Sequence, residues 1–238
     1  MQIEVIYLED YKTSEKTKSV QRAFEAEYMK RYGYARSKGL YRVDDWKRID
    51  FCLSKLSAIG GTILDVGVGP GGLLNILQKN PDFMAPVGID IRAYSKLVKL
   101  HQDLDIRIMD VSKMTFEDQA FDVVVCMEVL EHLDETLFKN ALLQLRRVAK
   151  KAVFMTVPLC EPEPLPSYHK QNFNYLDIRS HFSANSEFFV LQPKSGVPWI
   201  GILEYQGDSN FLRNRWKVNS QKSGLLNWVK KSLPIKTG

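Results

Sequence analysis

Apolar and polar positions along this chain change their spacing several times, and the changes mark out its elements. Positions 14–36 and 43–58 repeat apolar residues at helical spacing, with Ala23, Phe24 and Tyr28 in the first stretch and Trp46, Ile49, Phe51, Leu53 and Leu56 in the second. Gly33 and Gly39 punctuate the space between them. Beyond residue 60, short apolar runs alternate with helical patterns. The runs at 62–66, 86–90, 105–109, 121–127 and 152–157 predict strands; 71–79, 92–101, 129–149 and 174–184 predict helices. The helix after Glu131 is the best patterned, with Leu133, Leu137, Phe138, Ala141, Leu142, Leu145 and Val148 on one stripe. Two more runs, 187–192 and 197–205, flank Pro193, Lys194, Ser195 and Gly196 and predict a hairpin. Alternation closed by a hairpin implies an α/β fold: seven strands, mostly parallel, helices on both faces, and one antiparallel strand near the edge.

These patterns divide the chain into an N-terminal helical lid or extension (1–59), an α/β domain (60–206) and a tail (207–238). Tyr28, Tyr32, Tyr34, Tyr41 and Trp46 suit a lid over a ligand, or the packing of the extension on the sheet. A length of 238 residues fits one domain with appendages, and 45% hydrophobic with 26% charged residues is ordinary for a globular chain. No apolar run is long enough to span a bilayer, the N-terminus lacks a secretory signal, and Cys52, Cys126 and Cys160 are dispersed. A reducing, cytoplasmic setting is the expectation.

The net charge of +5 is local in origin. Residues 209–238 hold seven basic side chains and no acidic one; without those seven the chain has 26 basic and 28 acidic residues, a net of −2. A nucleic-acid enzyme usually gathers positive charge around its site, so nucleic acid is not the expected partner. The tail mixes its cations with Trp216, Leu225, Leu226, Trp228, Val229 and Leu233, which suits weak contact with an anionic membrane surface or a solvated end.

The chemistry starts at Leu64-Asp65-Val66-Gly67-Val68-Gly69-Pro70-Gly71-Gly72, where a strand meets a glycine-rich turn and then a helix. Glycines let the backbone approach a ligand that any Cβ would block, and such a turn is where a Rossmann-like sheet holds a polar cofactor. Two later acids end strands. Asp90 lies 23 residues after Gly67, where a carboxylate can accept both hydroxyls of a ribose; Asp110 follows 20 residues later and suits an adenine amino group. Either acid could equally cap a helix.

With these pieces the chain resembles the class I S-adenosylmethionine-dependent methyltransferases over about residues 60–205. The resemblance is carried by LDVGVGPGG (64–72), GIDI (88–91), MDVSKMTF (109–116), FDVVVCMEVLEHL (121–133) and VFMTVP (153–158). It implies that Asp65, Gly67, Gly69 and Gly71 line the methionine end of S-adenosylmethionine. It implies Asp90 and Ile91 at the ribose, Asp110 and Val111 at the adenine, and Met127 beside the sulfonium, with S-adenosylhomocysteine as product. A sulfonium and an ammonium suit an acid-lined cleft. Nothing resembles a nicotinamide pocket, which counts against an oxidoreductase.

The cofactor brings a reactive methyl, so the protein mainly aligns donor and acceptor. For a hydroxyl or amine acceptor a base helps, and the candidates near the fourth and fifth strands are Glu128, Glu131, His132, Tyr168 and His169. His169 is the preferred base, with Glu128 and His132 beside it. On a helix starting near Glu128, Glu128, Glu131 and His132 would share a face. With His169 they resemble the ion-holding set of metal-using small-RNA 2′-O-methyltransferases and ubiquinone-pathway catechol O-methyltransferases. The favoured reading holds no metal; a divalent ion such as Mg²⁺ on those four residues is the alternative. The expected function is methyl transfer to a small-molecule or carbohydrate-like acceptor, on oxygen or nitrogen. A metal-dependent RNA ribose 2′-O-methyltransferase and a non-catalytic binding module are the rivals.

Overall fold

In a computed structural model that describes residues 2–33, 41–182 and 185–207, the elements follow in the order β1 (Ile3–Tyr7), α1 (Glu15–Tyr32), α2 (Val43–Leu56), β2 (Gly61–Val66), α3 (Gly72–Leu77), β3 (Phe83–Asp90), β4 (Asp105–Ile108), β5 (Phe121–Met127), α4 (Glu135–Val148), β6 (Ala149–Pro158), α5 (Tyr175–His181), β7 (Ser186–Gln192) and β8 (Trp199–Tyr205). The strands form one sheet in the order β1-β7-β8-β6-β5-β2-β3-β4. All pairs are parallel except those of β8, which runs antiparallel to both β6 and β7. Among the described residues the sheet therefore has eight strands where the pattern predicts seven. The extra strand is β1, whose five residues pair with β7 from the far end of the domain, a partnership no local pattern announces.

The sheet is covered on both faces, and strand periodicity sorts its side chains between them. Ile63, Val123, Val125, Ala152 and Phe154 face a core shared with α1, α2 and α3. Their neighbours Leu64, Val66, Val124, Cys126, Val153 and Met155 face a second core filled by Phe138, Ala141, Leu142 and Leu145 of α4. The predicted α4 stripe is thus the buried one, and Asp134 starts the helix by accepting from the Leu137 amide at 2.9 Å. In the extension, Trp46 and Tyr28 are each only 1% exposed, so they pack as core rather than line an opening. Tyr34, the C-terminal tail and its membrane contact fall outside the described residues.

One expected helix is absent. Residues 92–101 form turns, because beyond a single Leu97 to Tyr94 turn bond at 3.1 Å their backbone bonds to the glycine loop and to Asn75. The Val98 amide donates to the Pro70 carbonyl at 3.0 Å, while Asn75 donates to the Val98 carbonyl at 2.7 Å and accepts from the Leu100 amide at 2.9 Å. The segment is a strap across the start of α3. A second difference concerns the start of α4: the helix begins at Glu135, and residues 130–132 form a single 3₁₀ turn.

Candidate active site

β2 pairs with β3 on one side and with β5 on the other. The chain thus leaves β2 in opposite directions, and the crevice at the carboxyl ends of β2 and β5 is where such a sheet binds ligands. Asp65, Gly67, Gly69 and Gly71 stand on one side of it, Met127 and Glu128 on the other.

The glycine turn holds a shape that only these residues permit. Gly67 has φ 82°, and a Cβ there would sit 2.3 Å from Cγ2 of Val129. Its amide donates to the Ile89 carbonyl at 2.8 Å, tying the turn to the end of β3. Asp90 finishes the tie: its Oδ2 accepts from the Gly69 amide at 2.9 Å. Asp110 accepts from the amide and hydroxyl of Ser112, both at 2.8 Å, and so caps a 3₁₀ turn, as the capping alternative expected. Val111 is buried beside it, while Ile91 presents an apolar side chain that is 67% exposed. Asp65 is buried, and its Oδ2 has no hydrogen-bond partner. Burial first, and then the charge of Asp90, push its carboxyl up to about 7. An unpartnered buried carboxylate oxygen is costly unless something arrives to bond it.

Across the crevice, side chains from separate segments converge. One ligand-type atom from each of Glu131, His132 and His169 lies within 4.8 Å of the others. Each imidazole is held through its Nδ1. His132 Nδ1 lies 3.1 Å from the Tyr168 carbonyl, which can only accept, so Nδ1 is the donor and Nε2 is the ring nitrogen left to meet a ligand. His169 Nδ1 lies 2.6 Å from Glu161 Oε2, an arrangement that orients the ring and leaves its Nε2 facing away from that carboxylate. Glu131 is buried, Oε2 lacks a partner, and its carboxyl is raised well above the usual range by burial and then by the charge of Glu128. Tyr168 stays at the surface, 63% exposed.

Glu128 does not join this group. It takes φ 56°, which breaks the helical register that would have set it beside Glu131 and His132. Its Oε1 lies 2.6 Å from Nη1 of Arg48 and accepts from the Thr156 hydroxyl at 3.0 Å, while Oε2 accepts from the Trp199 indole at 2.7 Å. Sequence reasoning did not single out Arg48, Thr156, Trp199 or Glu161. Only Glu161, in the proline-rich segment Glu161-Pro162-Glu163-Pro164 that follows β6, left a signal that could have been followed.

Residues 64–156 match the family described as a methyltransferase domain. The chain is 32% identical over 123 residues to a ubiquinone biosynthesis O-methyltransferase of Xanthomonas oryzae pv. oryzae, covering 46% of this chain and 48% of that protein. It is likewise 32% identical over 102 residues to the protein of the same name from Xanthomonas campestris pv. campestris, with 38% and 40% covered. It thus spans under half the length of these curated relatives. Among solved structures, a small RNA methyltransferase superposes with TM-score 0.56 at 17% identity, covering 72% of this chain and 27% of that one. Magnesium protoporphyrin IX methyltransferase from Synechocystis, with bound SAH, superposes with TM-score 0.52 at 17% identity, covering 80% of this chain and all of that one (100%). At such identities the likeness is one of fold.

Proposed function

We propose that this chain, whose residues 64–156 match a methyltransferase domain, is a class I enzyme that moves a methyl group from S-adenosylmethionine to an oxygen of a small-molecule acceptor. One observation carries the reading. Two buried carboxylates with unpartnered oxygens, Asp65 on β2 and Glu131 just after β5, stand at the carboxyl ends of neighbouring strands. Both act electrostatically on Cys126, between them. One suits the cationic donor and the other the acceptor. The name of the curated relatives supports oxygen as the atom methylated. The net charge of −2 outside residues 209–238 favours a small acceptor over a nucleic acid. None of the described helices is long and apolar enough to cross a membrane, and we place the activity in the cytoplasm.

In this mechanism Asp65 would hold the cofactor's ammonium, Asp90 with Ile91 its ribose, and Asp110 with Val111 its adenine, while Met127 would flank the sulfonium. His169, turned by Glu161, would accept the acceptor's hydroxyl proton on Nε2; S-adenosylmethionine, when bound, would supply the methyl group and a good leaving group. Calorimetry with S-adenosylmethionine tests the donor half. Micromolar binding, about −8 kcal/mol, is expected, and absence of binding overturns the enzyme reading. Methyl transfer to small phenols, with none to a short RNA, is the expected acceptor result; transfer to the RNA ribose overturns the small-molecule assignment.

A second reading adds a divalent cation. The residues fit one: Glu131 supplies an orphan carboxylate oxygen, His132 and His169 supply lone pairs fixed by second partners, and the three converge. When bound there, such an ion supplies Lewis acidity toward an acceptor oxygen. Mn²⁺ titration of the native chain and of Glu131→Ala separates the two readings: binding lost in the variant supports the cation, and equal behaviour removes it.

A further inference from the structure

Arg48 is an outlier among the site's charges. It comes from α2, in the N-terminal extension, yet its guanidinium is 6% exposed and sits among residues of β6, β8 and the β5 end. It meets Glu128 Oε1 at 2.6 Å and the Thr156 hydroxyl at 3.2 Å, and lies 4.5 Å from the centre of the Trp199 ring. Trp199 therefore works twice: its π face receives the cation and its indole N–H holds the other oxygen of Glu128. Both oxygens of Glu128 are engaged, and they lie apart from the three-residue convergence. The neighbourhood nonetheless couples the two acids. Glu128 raises the carboxyl of Glu131, and Arg48 opposes that effect.

We propose that Arg48, seated on Trp199, is a positioning residue that withholds Glu128 from the cation site. The site then loads with three protein ligands and gains Glu128 as a fourth only when the Arg48 pair opens. The inference rests on the cation reading of the preceding section. Its logic is substitution of charge: Arg48 neutralises Glu128, as a divalent ion would neutralise Glu131. With Arg48 and Thr156 on Oε1 and Trp199 on Oε2, Glu128 would have to give up a partner to reach a metal, so guanidinium and metal compete for it. Because Arg48 belongs to α2, the seating of that helix sets the outcome of the competition.

The test is calorimetric titration with Mn²⁺ of the full chain and of Arg48→Met, Trp199→Phe, Glu128→Gln and the Arg48→Met/Glu128→Gln pair. Arg48→Met should bind Mn²⁺ about tenfold more tightly, the scale on which outer partners tune metal sites. Trp199→Phe, which changes no charge, should shift affinity the same way by less. Adding Glu128→Gln should cancel the gain. Measured against Glu128→Gln alone, a gain from Arg48→Met as large as in the native chain would mean bare electrostatics and overturn the lock. So would native-like affinity in both Arg48→Met and Trp199→Phe, in a chain whose Mn²⁺ binding is lost with Glu131→Ala; the cation reading would then stand without it. No Mn²⁺ binding by the native chain and by Arg48→Met would sink both. Should Arg48→Met fail to fold, Trp199→Phe decides alone.

Discussion

The donor side and the acceptor side of the crevice are built in different ways. The proposed donor side centres on backbone from one contiguous stretch, a glycine turn tied by amides to the end of β3, with the acids Asp65, Asp90 and Asp110 from three strand ends around it. The acceptor side is all side chains, drawn from α2, the β5 end, the loop after β6 and the start of β8, and joined by ion pairs and imidazole contacts. A binding surface made of backbone tolerates little change in shape but is indifferent to most side chains nearby. One made of convergent side chains can be rebuilt by single substitutions at distant positions. The first suits a constant ligand and the second a variable one.

The sharpest break between the two sides should come at His169. Replacing it with alanine should lower methyl transfer by roughly 10²–10⁴-fold, the range for losing a positioned base, while leaving cofactor affinity unchanged. Rates and calorimetry on the same preparation check this; a parallel loss of cofactor binding would mean the two sides are not separable. The next effect should fall on the turn. Gly67→Ala brings a Cβ to 2.3 Å from Val129 and forces φ 82° on a residue that resists it, at a cost of about 1–3 kcal/mol. Gly69→Ala, with its nearest neighbour at 4.0 Å, should lower the thermal midpoint less. Equal midpoints for the two variants would contradict the close approach at Gly67. Third, Asp90→Ala should weaken cofactor binding by roughly 1–3 kcal/mol. Asp90→Asn keeps an acceptor for the Gly69 amide and should recover part of the loss. Full affinity in the alanine variant would remove the ribose contact.

The same contrast explains what could be read in advance. The alternation of strands and helices, the antiparallel β8 and the donor turn are written in local spacing, and they stand where the pattern puts them. β1 escaped because its only partner, β7, lies about 180 residues away in sequence. The false helix at 92–101 has helix-forming residues, but Asn75 and Pro70 claim its amides and carbonyls. At the acceptor side, His132 and His169 were legible as residue types, and the structure does bring them together with Glu131. The place of Glu128 was not legible. Its i, i+3 spacing to Glu131 assumed a helix, whereas a positive φ and a buried arginine from 80 residues upstream turn it elsewhere. Tertiary ion pairs leave no periodic trace.

The smallest expected effect concerns Asp65, and it distinguishes the sides by proton count. Its carboxyl is raised from 3.8 to about 7 by burial and by Asp90. Below the unfolded value both states hold the proton, and the stabilisation from keeping this carboxyl neutral is complete. As pH climbs through the folded value the native chain must bury a charge, and that stabilisation is lost. A cofactor ammonium reverses the preference, because it favours the ionised carboxylate. Binding therefore releases a proton, and affinity for S-adenosylmethionine should rise with pH up to about 7 and then level off, by at most about tenfold per pH unit. Asp65→Asn should bind more weakly and flatten the profile, whereas Glu131→Gln, on the acceptor side, should leave its shape intact. Calorimetry in buffers of different ionisation enthalpy counts the released proton directly. If the native chain releases none near neutral pH, Asp65 does not meet the ammonium, and the division of labour between the two carboxylates fails with it.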